Sequence, residues 1–330
     1  MGEEVKMKPF GKVGRLPPES PLTPLCQRGG RGGFAALAAV AAAALLLSAP
    51  ALAAGPPAVT AKSVLVMDAE TGRTLYAKAP DRLHAPASTV KVMTGLLALE
   101  KVSPQKEVSV SAAASREPAS RLGLQSGDRI DVQDLLYGLL LKSANDASVA
   151  LAETAAGDVD RFVKLMNEKA RTLGARKTVF KNPSGLPARG QVTTASDLAC
   201  IFRAALRNET FVKIAETKHR LVTAVSGESE RRRILVRNHN RLLWEYEGAG
   251  PGKTGYTVAS RHTYVGEVEE NGRKVIVVVL GSRRPWQDVR TLVDYGFVLA
   301  AAARPKDRVA SAPTTPAHAV ALGRFQGVEG

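Results

Sequence analysis

Cysteine is scarce in this sequence: its 330 residues hold two, Cys26 and Cys200. Cys26 precedes an apolar stretch, in a segment read below as a leader, so one thiol remains and no intrachain disulfide can form. Cys200 sits in Ser196-Asp197-Leu198-Ala199-Cys200-Ile201-Phe202, the pattern of a buried helix, and is read as core packing, since a reactive thiol needs a polar, basic neighbourhood. Aromatic residues make up 5% of the chain, and no aromatic-rich basic module argues for nucleic acid. His84, His219, His239 and His262 lack zinc-ligand spacing, so they are read as structural, and neither metal nor cofactor is expected. A long apolar run is also missing: Phe34 to Leu47 is short for a membrane span.

That stretch does fit a targeting segment. Basic residues ending at Arg28 and Arg31 precede it, and Ala51-Leu52-Ala53 follows as a small-residue cleavage signal. Residues 1–53 are therefore expected to be a signal segment. The part before Phe34 is long for such a segment, which leaves Met7 or a later codon as alternative starts. The expected location is the periplasm or the outer face of the cytoplasmic membrane. The whole chain carries a net charge of +15, of which about +12 remains beyond Ala53. In an exported protein that excess points to anionic envelope polymers, or to association with a membrane surface.

Hydrophobic spacing gives the architecture. Ser63 to Asp68 and Thr74 to Lys78 read as a hairpin around a Gly-containing turn. Val132 to Leu141 is a strongly apolar helix, Val149 to Thr172 continues as helix, and Thr193 or Thr194 can cap a helix running through Ile201. Asn182-Pro183-Ser184-Gly185-Leu186-Pro187 is a loop by its breakers. The arginines around Arg231 read as a solvated loop or strand edge. Strands return at Gly252 to Thr257, Thr263 to Val268 and Lys274 to Leu280, with Asn271-Gly272 as a hairpin turn, before a last helix from Trp286 to Ala303. The fold class is α+β: an antiparallel sheet flanked by helices, with a mainly helical lobe inserted between its strands. Residues 59–304 form the expected domain and 305–330 a flexible tail.

Ser88-Thr89-Val90-Lys91 opens the apolar run Val92 to Leu99. Positions i and i+3 share a helix face, so the hydroxyl and the amine can meet, the serine as nucleophile and the lysine as its base. S-x-x-K alone is expected roughly once by chance in such a chain. Ser103-Pro104-Gln105-Lys106 also matches, but it leads into an extended segment and is set aside. Specificity comes from the set: Ser88 and Lys91, then Ser143 and Asn145 as S-x-N, then Lys253-Thr254-Gly255 as K-T-G.

With these three motifs the chain resembles the D-alanyl-D-alanine carboxypeptidase family of low-molecular-weight penicillin-binding proteins, with a β-lactamase/transpeptidase-like fold. The strings Leu141 to Ala147, Asn182 to Leu186 and Gly252 to Thr257 extend the similarity, which covers Ser63 to about Ala303. The resemblance implies that Ser88 attacks the carbonyl between the terminal D-alanines of a peptidoglycan stem peptide. Lys91 takes its proton, and Ser143 relays a proton to the leaving D-alanine. Asn145 orients substrate and Lys91, and Lys253 and Thr254 bind the terminal carboxylate. Gly255 lets the substrate lie close, and the N–H groups of Ser88 and Tyr256 form the oxyanion hole. β-Lactam antibiotics are implied as covalent inhibitors.

Three alternatives stand beside it. A class A β-lactamase would need an E-x-x-L-N loop, which is absent, and Ala144 stands where an aspartate would follow the serine. A D,D-endopeptidase cutting cross-links would use the same machinery. An inactive envelope-binding module would need none of Ser88, Lys91 and Lys253. The C-terminal β domain and amphipathic anchor of larger family members are not expected, because only about 25 residues follow the last helix.

Overall fold

The run Val275-Ile276-Val277-Val278-Val279-Leu280 has no polar residue to turn toward water, the pattern of a strand covered on both faces. In the computed structural model, which describes residues 55–302, all of it is buried within strand β9 (Arg273–Ser282). Residues 1–53 with Cys26, and the tail 305–330, lie outside the described residues.

With β1 (Ser63–Asp68), β2 (Thr74–Lys78), β7 (Ala249–Thr257) and β8 (Arg261–Glu270), β9 makes a five-stranded antiparallel sheet in the order β2-β1-β9-β8-β7. Alternate side chains enter opposite apolar layers: Ile276, Val278 and Leu280 join Leu65 and Met67 on one face, and Val275, Val277 and Val279 join Val64 and Val66 on the other. Asn271 and Gly272, both at positive φ, turn β8 into β9 as the Asn-Gly pair predicts. The second layer is closed by the last helix, α9 (Pro285–Ala302), through Val289, Leu292, Val293 and Phe297.

Helix α1 (Lys91–Lys101) runs through the other layer, buried on every side from Lys91 to Ala98. Around it pack α3 (Val132–Leu141), α4 (Asn145–Ala156), α5 (Val159–Thr172), α6 (Ala195–Ala205) and α7 (Glu209–Glu216); α2 (Ala112–Ser115) and α8 (Leu242–Glu245) are short. The helix read from Val149 to Thr172 is two helices. Gly157, at φ 86°, ends α4 with its N–H on the Glu153 carbonyl, and Asp158 caps α5 by accepting from Arg161 N at 2.7 Å. Thr194 is the cap of α6, accepting from Asp197 N at 3.0 Å. Cys200 on that helix is only half-buried, so it is a boundary residue and not core packing, though burial still pushes its thiol pKa up.

The sequence reading contains one sheet, and the structure has a second. β3 (Glu107–Ser109), β4 (Arg129–Asp131), β5 (His219–Ser226) and β6 (Glu230–Arg237) form it in that order, all antiparallel. The β5–β6 hairpin escapes detection because its outer face is not covered: Leu221 and Leu235, direct cross-strand partners, are 45% and 62% exposed. The arginines around Arg231 lie on β6, the edge strand, as read. Arg232 is the exception, turning inward to pair with buried Asp128.

Candidate active site

Ser88 lies in a single 3-10 turn, Ala87–Val90, that leads directly into α1. With three residues per turn, positions 88 and 91 eclipse more closely than in an α-helix. Two hydroxyls tie the turn down: Thr89 and Thr263 of β8 both donate to the Pro86 carbonyl, at 2.7 and 3.0 Å.

Lys91 is fully buried, and its Nζ lies 3.2 Å from Ser88 Oγ, 2.8 Å from Asn145 Oδ1 and within hydrogen-bond reach of the Ser184 carbonyl. A neutral amine has two hydrogens and one lone pair. The two carbonyl oxygens can take the two hydrogens, which leaves the lone pair for the Ser88 hydroxyl. Burial, and next the charge of Lys253, lower the Lys91 pKa well below that of an ordinary lysine. The site thus favours the base form.

Lys253 on β7 is also buried; its Nζ donates to Ser143 Oγ at 3.1 Å and to the Thr254 carbonyl at 2.9 Å. Desolvation takes its pKa down to about 7. Ser143 occupies the left-handed region, φ 63°, in the turn between α3 and α4, a strained conformation for a residue with a side chain. That turn carries its hydroxyl to Lys253. Asn145, the first residue of α4, is held by the loop before β4: its N–H donates to Ser120 O at 2.7 Å and its Nδ2 to Pro118 O at 2.9 Å.

Gly255 is where β7 presses against the nucleophile's turn. A Cβ at this position would lie 2.7 Å from Ser88 N and 2.5 Å from Thr263 Oγ1. Among the described residues β7 is the edge strand of its sheet and pairs with β8 alone, which leaves its far edge open to another strand beside Ser88. Thr254 is half-buried, and Tyr256 is exposed with its ring 4.7 Å from that of His262. All eight residues singled out in the sequence converge on this edge and on the mouth of α1.

The structure adds groups that carry no sequence motif. The Ser184 carbonyl holds Lys91, and the Pro183 carbonyl accepts from Thr94 Oγ1 at 2.7 Å. Gly185, at φ 83°, lets this loop touch the nucleophile's turn, since a Cβ there would meet Ala87 O at 2.0 Å. Asp146, fully buried, accepts from the N–H groups of Leu122, Gly123 and Leu124 at 2.9–3.2 Å, and so fixes the loop that grips Asn145. The half-buried Glu117 stands close enough for its charge and that of Lys91 to act on each other. His239 also belongs to this neighbourhood: burial, then Lys253 and Lys142, lower its pKa to about 4.

Comparison with known proteins shows the family. A sequence profile of the D-alanyl-D-alanine carboxypeptidases matches residues 51–284. A D-alanyl-D-alanine carboxypeptidase of Mycobacterium tuberculosis is 36% identical over 247 residues, covering 72% of this chain and 83% of the relative. One from Bacillus subtilis is 34% identical, and the match covers 72% of this chain but 62% of that longer protein. The crystal structure of a Streptomyces DD-transpeptidase superposes with a TM-score of 0.71 at 32% identity, covering 74% of this chain and 99% of that one. The chain belongs to the D-alanyl-D-alanine carboxypeptidase family of serine peptidases.

Proposed function

We propose that this protein is a serine-type D-alanyl-D-alanine carboxypeptidase that removes the terminal D-alanine from peptidoglycan stem pentapeptides. The observation that carries the reading is the pair of buried lysines: one has its amine 3.2 Å from a serine hydroxyl, and the other lowers the first one's pKa. A scaffold would gain nothing from burying two cations, which costs several kcal/mol per ion.

In the reaction, Ser88 passes its proton to Lys91 as Oγ attacks the carbonyl of the penultimate D-alanine. The N–H groups of Ser88 and Tyr256 receive the oxyanion. Lys253, with Thr254, holds the terminal carboxylate, and its charge returns toward full occupancy as that anion arrives. Ser143 passes the proton to the departing amine, and the C–N bond breaks to leave an acyl-enzyme. Asn145 keeps one amide hydrogen for the substrate backbone, the other being taken by Pro118. Water, activated by Lys91, then attacks the ester and frees Ser88. β-Lactams, which carry a carboxylate and a strained amide, are substrates for the first half of this cycle. The composition of residues 1–53 supports export, and the positive charge beyond them supports contact with anionic envelope components.

Incubation with a stem pentapeptide and with a cross-linked dimer, read by mass spectrometry, tests the reading. Tetrapeptide plus free D-alanine is the expected result. Cleavage of the dimer with no D-alanine from the pentapeptide would make the protein an endopeptidase.

A further inference from the structure

A cavity of about 270 Å³ opens beside the nucleophile's turn, lined by Ala87, Gly185, Pro187 and Thr257 and by one charged side chain, Arg189. Its place along β7 can be read from three contacts. Lys253 meets Ser143, Gly255 meets the Ser88 amide, and Thr257 borders the cavity, so carboxylate anchor, reacting carbonyl and cavity follow one another along the strand. A peptide pairing antiparallel with the open edge of β7 runs from Thr257 toward Lys253 in its own N-to-C direction. With its C-terminal carboxylate at Lys253 and its scissile carbonyl at Ser88, the residue preceding the two D-alanines arrives at the cavity.

The polar character of the cavity is one-sided. Gln191, which also borders it, is committed to its own loop: Oε1 accepts from Lys181 and Asn182 N–H, and Nε2 donates to Leu186 O at 2.9 Å. Thr257 Oγ1 is 2.8 Å from Ser260 Oγ. Arg189, by contrast, has neither a hydrogen bond nor an ion pair among the described residues. A guanidinium with five uncommitted donors beside a peptide-binding edge is suited to a carboxylate.

We infer that this cavity is the subsite for the side chain of the third stem-peptide residue, and that Arg189 selects a diamino diacid, whose side chain ends in a free carboxylate, over lysine or an amidated diacid. The inference rests on the carboxypeptidase reading above. It concerns which stem peptide is preferred, and Arg189 acts as a specificity residue.

The test uses three synthetic pentapeptides ending in D-Ala-D-Ala, whose third residue is a diamino diacid, the same diacid amidated on its side-chain carboxyl, or lysine. D-Alanine release is measured for the full-length protein and for Arg189→Gln and Arg189→Glu. The wild type is expected to favour the free diacid in kcat/KM by about tenfold, the effect of one solvent-accessible charged contact. Arg189→Gln should bring the ratio of diacid to amide close to one, and Arg189→Glu should invert the order in favour of lysine. Equal rates on all three peptides in the wild type, or a preference that survives Arg189→Gln, would overturn the subsite while leaving the carboxypeptidase intact. Release of D-alanine from none of them would overturn both.

Discussion

Lys91 Nζ and Ser88 Oγ are 3.2 Å apart at the mouth of a helix whose first two turns are buried, and among the described residues no carboxylate is hydrogen-bonded to the lysine. It bonds to two carbonyl oxygens and a hydroxyl; burial and, next, the charge of a second buried lysine lower its pKa, against the smaller opposing charges of Glu117 and Asp146. That environment favours the neutral, basic form of the lysine.

The lysine pair sets a pH dependence whose sign can be worked out. The productive form needs Lys91 neutral and Lys253 charged; burial lowers the pKa of both, and the charge of Lys253 favours the neutral form of Lys91. For substrates with a free terminal carboxylate, kcat/KM should therefore fall on the alkaline side as Lys253 titrates, at a pH displaced from 10.5 toward 7. Lys253→Arg should move that limb out of range, and Lys253→Ala should lose about 2–3 kcal/mol more on carboxylate substrates than on amidated ones. Stability follows the same group: between about 7 and 10.5 the unfolded chain binds a proton that folded Lys253 does not, so stability rises with pH across that window. Thermal melts at stepped pH check this.

Gly185→Ala should disable the enzyme without touching a catalytic side chain. Its Cβ would fall 2.0 Å from Ala87 O and 2.9 Å from Ser88 N, and the φ of 83° is strained for alanine. The loop must retreat, taking the Ser184 carbonyl off Lys91. A displacement of this kind corresponds to on the order of a 100-fold loss in acylation rate, measurable by stopped-flow with a chromogenic β-lactam.

Asp146→Asn should separate support from chemistry. The carboxylate holds three backbone N–H groups of the loop that grips Asn145, and an amide offers one acceptor oxygen where the carboxylate has two. A loss of about 2–3 kcal/mol in unfolding free energy is expected, with slower acylation and with Ser88 still the residue that is labelled. Unchanged stability in denaturant titrations would contradict the role given to Asp146.

The three motifs were legible because each is a side-chain pattern, and the fold class was legible because short β-branched runs such as Val275 to Leu280 and longer leucine-rich ones such as Val132 to Leu141 mark covered strands and buried helices. The parts that were not legible are of two kinds. Pro118, Ser120 and Ser184 act through main-chain carbonyls, which every residue has. On β6 the alternation is masked, because Arg232 takes an inward position and Leu235 an outward one. The break at Gly157-Asp158 was available to sequence reasoning: a helix-ending glycine followed by an N-cap residue is a stop and a start.

Deacylation distinguishes this site from a β-lactamase. In the proposed mechanism Lys91 and Ser143 serve a peptidyl ester, and the sequence contains no E-x-x-L-N glutamate to activate water for a penicilloyl one. The penicilloyl-enzyme should persist for minutes or longer by intact-mass spectrometry while pentapeptide turns over. Rapid steady-state penicillin hydrolysis would contradict this.

Acylation mapping tests the assignment of the nucleophile most directly. Protein incubated with benzylpenicillin is digested, and the modified peptide sequenced by mass spectrometry, alongside Ser88→Ala and Ser103→Ala. The expected result is a penicilloyl group on Ser88 in the wild type and in Ser103→Ala, with no label and no D-alanine release from pentapeptide in Ser88→Ala. A label on another residue, or one that survives Ser88→Ala, would contradict it.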